Sequence, residues 1–329
     1  MKKLFRIFII LSITVLFTSC GQEATTYEAK EALSKHLIER YGEEFEIGYM
    51  GRRSDGKEVW YEAEIYPSKY VGTPKERDKY YRESGTVNIK KGIFGEKLGK
   101  AGDTYGIVKV NESAEEFYGK KLEELFGNNV LQVYDIWFNR ILEDYSFENI
   151  IKVSDEERTA LIIKGGIYIF GRVENDEDRE WYRTQIYEFI QFMKETGTFE
   201  YVDLGVIVWD ERVLSDEFRE NKKLRNEIIA ARNTYKDNKE FIKIRKKLMS
   251  KTNKSAENLT NKEKKEILDN YNRSQMYGEN NNVDKILAYN ELLGIKIYSP
   301  KYIESQGLYH RKKSNYEKIE DIEYWNEIY

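Results

Sequence analysis

Cysteine is nearly absent from this chain: 329 residues hold one, Cys20. No disulfide can staple the fold, so its stability must come from a buried apolar core, and a centre built on several thiolates is excluded as well. Histidine is almost as scarce, with only His36 and His310. That removes the usual donors of a zinc site and leaves few imidazoles for a catalytic triad. Long apolar runs are missing too. The best of them, residues 4–17, is interrupted by Arg6, Ser12 and Thr14 and falls short of the ~20 residues that cross a bilayer. No serine sits in a Gly-x-Ser-x-Gly elbow, and the glycines form neither a dinucleotide fingerprint nor a Walker loop.

What is present describes a globular protein. Apolar residues make up 40%, charged residues 34%, and the mean hydropathy is −0.72. The chain is too apolar to be wholly disordered and too polar for an integral membrane bundle. Its length is worth about two domains.

The N-terminus is the most specific stretch. Met1-Lys2-Lys3 precedes the short apolar run, and Thr18-Ser19-Cys20-Gly21 follows it. A positive start, a short apolar middle and small residues at a cut site are the parts of a secretory signal. Leu16-Phe17-Thr18-Ser19-Cys20 resembles the lipobox of bacterial lipoproteins, although Phe17 stands where that family prefers leucine. The resemblance implies cleavage before Cys20 and lipidation of its thiol, which makes the membrane a partner through the N-terminal lipid. It also implies an exported body in the cell envelope. Without residues 1–19, which carry Lys2, Lys3, Arg6 and no acid, 51 basic and 58 acidic residues remain, a net charge of −7.

Domain organisation follows from the pattern: signal peptide 1–19, lipidated tether 20–26, an α+β body 27–211 with 27–110 and 111–211 as candidate subdomains, and a helical, charged region 212–329. The expected fold class is α+β, antiparallel sheet with packed helices followed by a mainly helical C-terminal part. Ala29, Leu33, Leu37 and Tyr41 recur at helical spacing and stop at Gly42. Residues 45–49 and 58–66 alternate around a turn at Ser54–Lys57, which predicts a hairpin. A helix laid across a curved antiparallel sheet resembles the cystatin-like and NTF2-like architectures.

Further along, residues 67–104 read as irregular, with a strand at Thr86–Ile89. The pattern predicts a strand at Tyr105–Val110 and a helix capped by Ser113 and Glu116 that ends at Gly127. Residues 130–145 fit a buried helix, with a strand as the alternative. Gly165-Gly166 suits a hairpin turn, Asn175 opens a helix that Gly197 stops, and Tyr201–Trp209 is a buried strand. From Ser215 a long amphipathic helix runs in one or two pieces. Thr260 and Glu263 then cap a helix to about Tyr271, Val283–Leu293 forms another, and Ile295–Tyr298 is extended.

Candidate chemistry is thin: no catalytic residue, metal ligand or cofactor is assigned. His36, mid-helix among charges, and His310, in a basic tail, read as solvated. The acids at Asn175–Asp178 suit a helix start better than a calcium loop. Gly92, Gly95, Gly99 and Gly102 sit among lysines that could hold an anion, in what reads as a loop. Between Lys236 and Lys265 there are 11 basic residues against four acids, a face suited to anionic headgroups or an acidic protein. Trp60, Trp137, Trp181 and Trp209 read as core, whereas Tyr70, Tyr80, Tyr81, Tyr309 and Trp325 read as candidate binding surface. The resulting expectation is a binding role with a protein partner, of inhibitor or immunity type, and no nucleic acid. The alternative is a hydrolase using a carboxylate pair.

Overall fold

Capping residues fix where the chain first folds. The structure, a computed structural model, describes residues 23–92, 95–138, 140, 142, 144–157, 161–235, 238–250, 252, 259–260, 262–264, 266, 291–310 and 313–325. Cys20 and its lipobox, the stretch toward Tyr271 and most of the expected Val283–Leu293 helix therefore lie outside the described residues. The Thr25 hydroxyl accepts from the Glu28 amide, and the Glu28 carboxylate accepts from the Thr25 amide, a reciprocal cap that opens α1 (Thr26–Tyr41). Gly42, at φ 67°, closes it in the left-handed conformation that glycine adopts without a Cβ penalty. Ala29, Leu33 and Leu37 form its buried stripe.

The chain divides into two compact units, Met1–Lys109 with Ile141–Tyr145, and Val110–Arg140 with Ser146–Tyr329. The first holds an antiparallel sheet of β1 (Phe45–Ile47), β2 (Gly51–Ser54), β3 (Val59–Pro67), β4 (Glu83–Gly92) and β5 (Gly95–Asp103). Its order is β1-β3-β4-β5, with β2 also on β3. Tyr61, Ala63, Ile65, Val87 and Ile89 point inward in strict alternation and meet the α1 stripe. Gly85 makes that contact close, because a Cβ there would lie 2.7 Å from the Leu33 Cδ2.

The region expected to be irregular is mostly the β4–β5 hairpin, preceded by three short 3-10 turns. Lysines and glycines occupy its outward positions and mask the period-2 signal that Val87, Ile89, Leu98 and Ala101 carry.

Helix α2 (Gly106–Phe126) replaces the strand expected at Tyr105–Val110. Val110, Ala114, Tyr118 and Leu122 are buried at four-residue spacing, a helical period that begins before Ser113. Gly127, at φ 65°, ends it as expected. The second unit continues with β6 (Val130–Phe138), α3 (Phe147–Glu157), β7 (Leu161–Gly171), α4 (Asp176–Glu195) and β8 (Val202–Asp210). After these come α5 (Asp216–Glu220), α6 (Lys222–Thr234), α7 (Asn238–Met249), β9 (Glu291–Tyr298) and α8 (Pro300–Ser305).

Their sheet runs β6-β7-β8-β9, antiparallel except for the β7–β8 pair. Parallel neighbours need a crossover, and α4 supplies it. Two sequence expectations change here. Residues 130–138 are strand and not helix, with Tyr134 and Ile136 inward and Val133, Asp135 and Trp137 outward. Gly165-Gly166 lies inside β7 and not at a turn: a Cβ on Gly165 would stand 2.6 Å from the Val133 carbonyl, so the backbones of β6 and β7 approach there as only glycine allows.

Both sheet faces carry helices. Tyr118 packs on Tyr134, Phe147 and Phe189 with ring centroids 5.4 to 5.7 Å apart, which joins α2, α3 and α4 to one face. Against the other, Phe170 and Trp209 cluster with Leu224, Ile228, Ala231, Phe241 and Met249 of α6 and α7. The C-terminal part is helical as expected and also donates β9. The fold class is α+β. Among the described residues no helix is long and apolar enough to cross a membrane.

Candidate functional site

The densest polar cluster lies at the end of β5. Asp103 is fully buried, and α1 aims three side chains at it. Helical geometry puts residues 36 and 40 on one face, and Tyr41 reaches the same carboxylate from the last position of the helix. His36 Nε2 lies 2.8 Å from Oδ2, Arg40 donates to Oδ2 at 2.8 Å, and the Tyr41 hydroxyl donates to Oδ1 at 2.6 Å. The Tyr105 amide adds a fourth contact, to Oδ1 at 3.0 Å. Arg40 also donates to the Tyr145 hydroxyl and lies over the Tyr41 and Tyr145 rings at 5.2 and 5.6 Å.

Electrostatics follow from this crowding. Burial first, then the bond to Asp103, push the Tyr41 phenol far above its ordinary range, so it stays a donor. Burial opposes the charge of Arg40, but Asp103 outweighs it and the guanidinium is held more firmly protonated. Glu83 titrates above an ordinary glutamate because of burial and, less, the Asp103 charge. Two neighbouring carboxyl groups are the first requirement of a glycosidase pair. Here both Asp103 oxygens are already occupied and shut off from solvent, so the pair has no free base. The cluster ties α1 to the sheet, and His36, read from sequence as solvated, is one of its struts.

A second saturated cluster ends β8. Asp210 is fully buried and takes a bidentate pair from Arg212 at 2.8 and 2.6 Å, while Arg212 reaches Glu174 at 3.2 Å. Ligands of open sheets favour the carboxyl ends of parallel strands, where Gly171 and Asp210 lie, but the carboxylate is filled. Lys264 is buried and donates to the Asn128 carbonyl and the Asn129 side chain, at 2.9 and 3.0 Å. Burial lowers its pKa.

The remaining sequence candidates sort clearly. Asn175 caps α4 by accepting from the Asp178 amide, so that acidic run is a helix start. His310 is exposed. Thr260 and Glu263 form the expected capping box. In α7 the basic face is partly consumed, since Arg245 is buried, Lys243 pairs with Glu240 and Lys246 donates to the Glu174 carbonyl.

Aromatic assignments need correction. Tyr70 and Tyr81 are buried with ring centroids 4.8 Å apart, and Tyr80 meets Tyr81 edge-on at 4.9 Å, so these loop tyrosines extend the core between α1 and the first sheet. Of the four tryptophans read as core only Trp209 is buried, whereas Trp137 and Trp181 are about half exposed. Tyr309 and Trp325 are exposed as expected. Among the described residues no group of three His, Cys, Asp or Glu side chains could hold a metal ion. The Asp103 cluster carries no sequence motif, and its residues come from three separate stretches, 36–41, 103–105 and 145, so sequence reasoning had no signal for it.

No family model matches this chain, and no curated protein does. Among solved structures, the chain has a likeness to the crystal structure of a DUF5037 family protein from Ruminococcus gnavus. It shares 15% identity and a TM-score of 0.29, over 59% of this chain and 78% of that one. At that level the likeness carries no argument about fold or function.

Proposed function

We propose that the chain is a lipid-anchored protein of the bacterial cell envelope that acts by binding a protein partner, in the manner of an inhibitor or immunity protein. The position of the sole cysteine carries the reading. Cys20 closes a lipobox-like stretch and stands four residues before Ala24, where the chain enters the fold and its carbonyl accepts from the Tyr61 hydroxyl at 2.6 Å. A tether that short keeps the body at the bilayer surface, and two or three acyl chains on one residue hold it there durably.

Binding is favoured over hydrolysis by the state of the buried acids, since Asp103 and Asp210 are both filled by internal donors. Exposed rings at Tyr49, Tyr309 and Trp137 offer apolar area suited to a protein contact.

Palmitate labelling and intact mass, compared between wild type and Cys20→Ala, test the anchor. A wild-type chain without lipid mass overturns it. Crosslinking in intact cells followed by capture tests the binding role: a single protein retained in stoichiometric amount supports it. Turnover of a glycan or peptide substrate, lost on changing one acid, overturns it.

A further inference from the structure

The C-terminal segment is held to the second unit as a peptide is held in a groove. Residues 313–325 form no strand, and their one regular piece is a 3-10 turn at Ile319–Asp321. They are nevertheless anchored along their length. Arg183, Tyr187, Gln191 and Lys194 follow one another on α4 at steps of four, four and three, which places them on one helix face. Each donates to a main-chain carbonyl of the segment: Arg183 to Ile322, Tyr187 to Glu317 at 3.1 Å, and both Gln191 and Lys194 to Tyr316 at 3.1 Å. Tyr316, Ile322 and Tyr324 are its buried side chains. The Tyr316 ring meets Phe199 edge-on, and the guanidiniums of Arg179 and Arg183 lie over the Tyr324 ring.

The other wall is a sheet edge, because β9 stands last in the order β6-β7-β8-β9. The Trp325 amide donates to the Gly294 carbonyl at 2.8 Å, and the Tyr316 hydroxyl reaches the Lys296 carbonyl at 3.5 Å. Residues two apart on an antiparallel strand turn their carbonyls the same way, so both acceptors belong to the outer edge. The segment thus runs antiparallel to α4 and to β9, from Lys194 and Lys296 at one end to Arg179 and Gly294 at the other. There the Trp325 ring lies on Gly294, where a Cβ would clash with it. Trp325, read from sequence as binding surface, ends the path half exposed.

Three features make the tail a replaceable occupant. Main-chain carbonyls are common to every peptide, so the α4 donors suit any segment that follows the same path. Tyr316 sits at φ 48°, the left-handed region that a residue with a Cβ enters only at a cost, so a less strained segment can outcompete the tail. An edge strand is also where a foreign segment most readily adds main-chain hydrogen bonds. We infer that the groove between α4 and β9 binds a peptide segment of the partner protein, and that the chain's own tail holds the site until it is displaced. The segment recognised carries aromatic and aliphatic side chains at the spacing of Tyr316, Ile322 and Tyr324. That a partner exists rests on the binding role proposed above; the groove supplies the place where it docks.

Fluorescence anisotropy tests this with the full chain and a labelled synthetic peptide of residues 313–325, which stands in for the partner's segment. Ile322→Ser/Tyr324→Ser removes two anchors of the attached tail and leaves every groove residue in place. We expect that variant to bind the peptide roughly a hundredfold more tightly than wild type does, since a tail attached at an effective concentration of about 1 mM outcompetes a peptide that binds at about 10 μM. Adding Arg183→Ala should weaken that binding about tenfold, the scale of one charged hydrogen bond. A peptide carrying the same two serines should bind more weakly still. Absence of peptide binding by the folded double variant overturns the inference, and so does equal binding of the two peptides. If circular dichroism shows the double variant unfolded, Tyr324→Ser alone is measured, and loss of the folded state there as well overturns the inference, because the tail is then core. A wild-type chain that elutes as a dimer with its tail crosslinked across copies makes a second copy the occupant and overturns the partner segment. None of these failures touches the crosslinking test in cells, which can still capture a partner on another surface.

Discussion

The two sheets use charge in different ways. In the first, a single helix covers one face, and the other is left to solvent. Its buried charge is concentrated at one point, Asp103, while Lys90, Lys97 and Lys100 of the β4–β5 hairpin are exposed. In the second, helices lie against both faces, and β8 is apolar almost throughout, with Val202, Leu204, Val206, Val208 and Trp209 all buried. There Asp210 and Arg212, within three residues of each other, pair directly, and Lys264 is held by the Asn128 carbonyl and the Asn129 side chain. A one-sided sheet can present chemistry on its bare face, whereas a two-sided one must satisfy every polar group internally.

Breaking the Asp103 hub should give the largest effect. Asp103→Ala leaves Arg40 buried without its counter-charge and removes the acceptor for Tyr41 and the Tyr105 amide. A loss of about 3–5 kcal/mol is expected, the range for removing one partner of a buried pair. Denaturant unfolding should place it well below His36→Ala, which deletes one strut of four. Equal losses would mean that His36, not Asp103, organises the junction.

Tryptophan substitutions sharpen the same contrast within the second sheet. Trp209→Ala empties a buried site between Phe170 and Tyr168, whose ring centroids lie 5.9 and 5.4 Å away, and should cost about 3–5 kcal/mol. Trp137→Ala, on the outward face of edge strand β6, should cost less than about 1 kcal/mol, the scale of one cross-strand pair. Thermal unfolding of the two variants side by side measures the difference. A large loss at Trp137 would show that this outward face is packed and not free to bind.

Legibility tracks how local each determinant is. Helix α1 is readable because Ala29, Leu33, Leu37 and Tyr41 keep helical spacing and Gly42 marks the end. Strand β6 is ambiguous because Val130, Tyr134 and Phe138 satisfy helical spacing as well as alternation, and only pairing with β7 decides. Gly165-Gly166 looks like a turn for the same reason: its cause, the close Val133 carbonyl, lies on another strand. The Asp103 hub could not be read at all, since residues 36, 40, 41, 105 and 145 meet only after the sheet sets its register. The lysine-rich stretch reads as a loop because the pairing of Lys90 with Lys97 across β4 and β5 exists only in the hairpin.

The smallest effect concerns Glu43, where the first unit settles a half-buried carboxylate with two lysines. Burial alone would raise its pKa, but hydrogen bonds from Lys109 and Lys69, at 2.8 and 2.5 Å, outweigh burial and lower it. The folded form therefore holds its proton less tightly than the unfolded chain, in which glutamate titrates near 4.3. The stabilisation is fully present above that value and is lost as the pH falls through the lowered folded one. Glu43→Gln should cost about 1 kcal/mol at pH 7. Wild type and variant should converge in acid, as the wild-type carboxylate protonates. A gap that stays constant from pH 7 to pH 3 would show that Glu43 acts through packing and not through its charge.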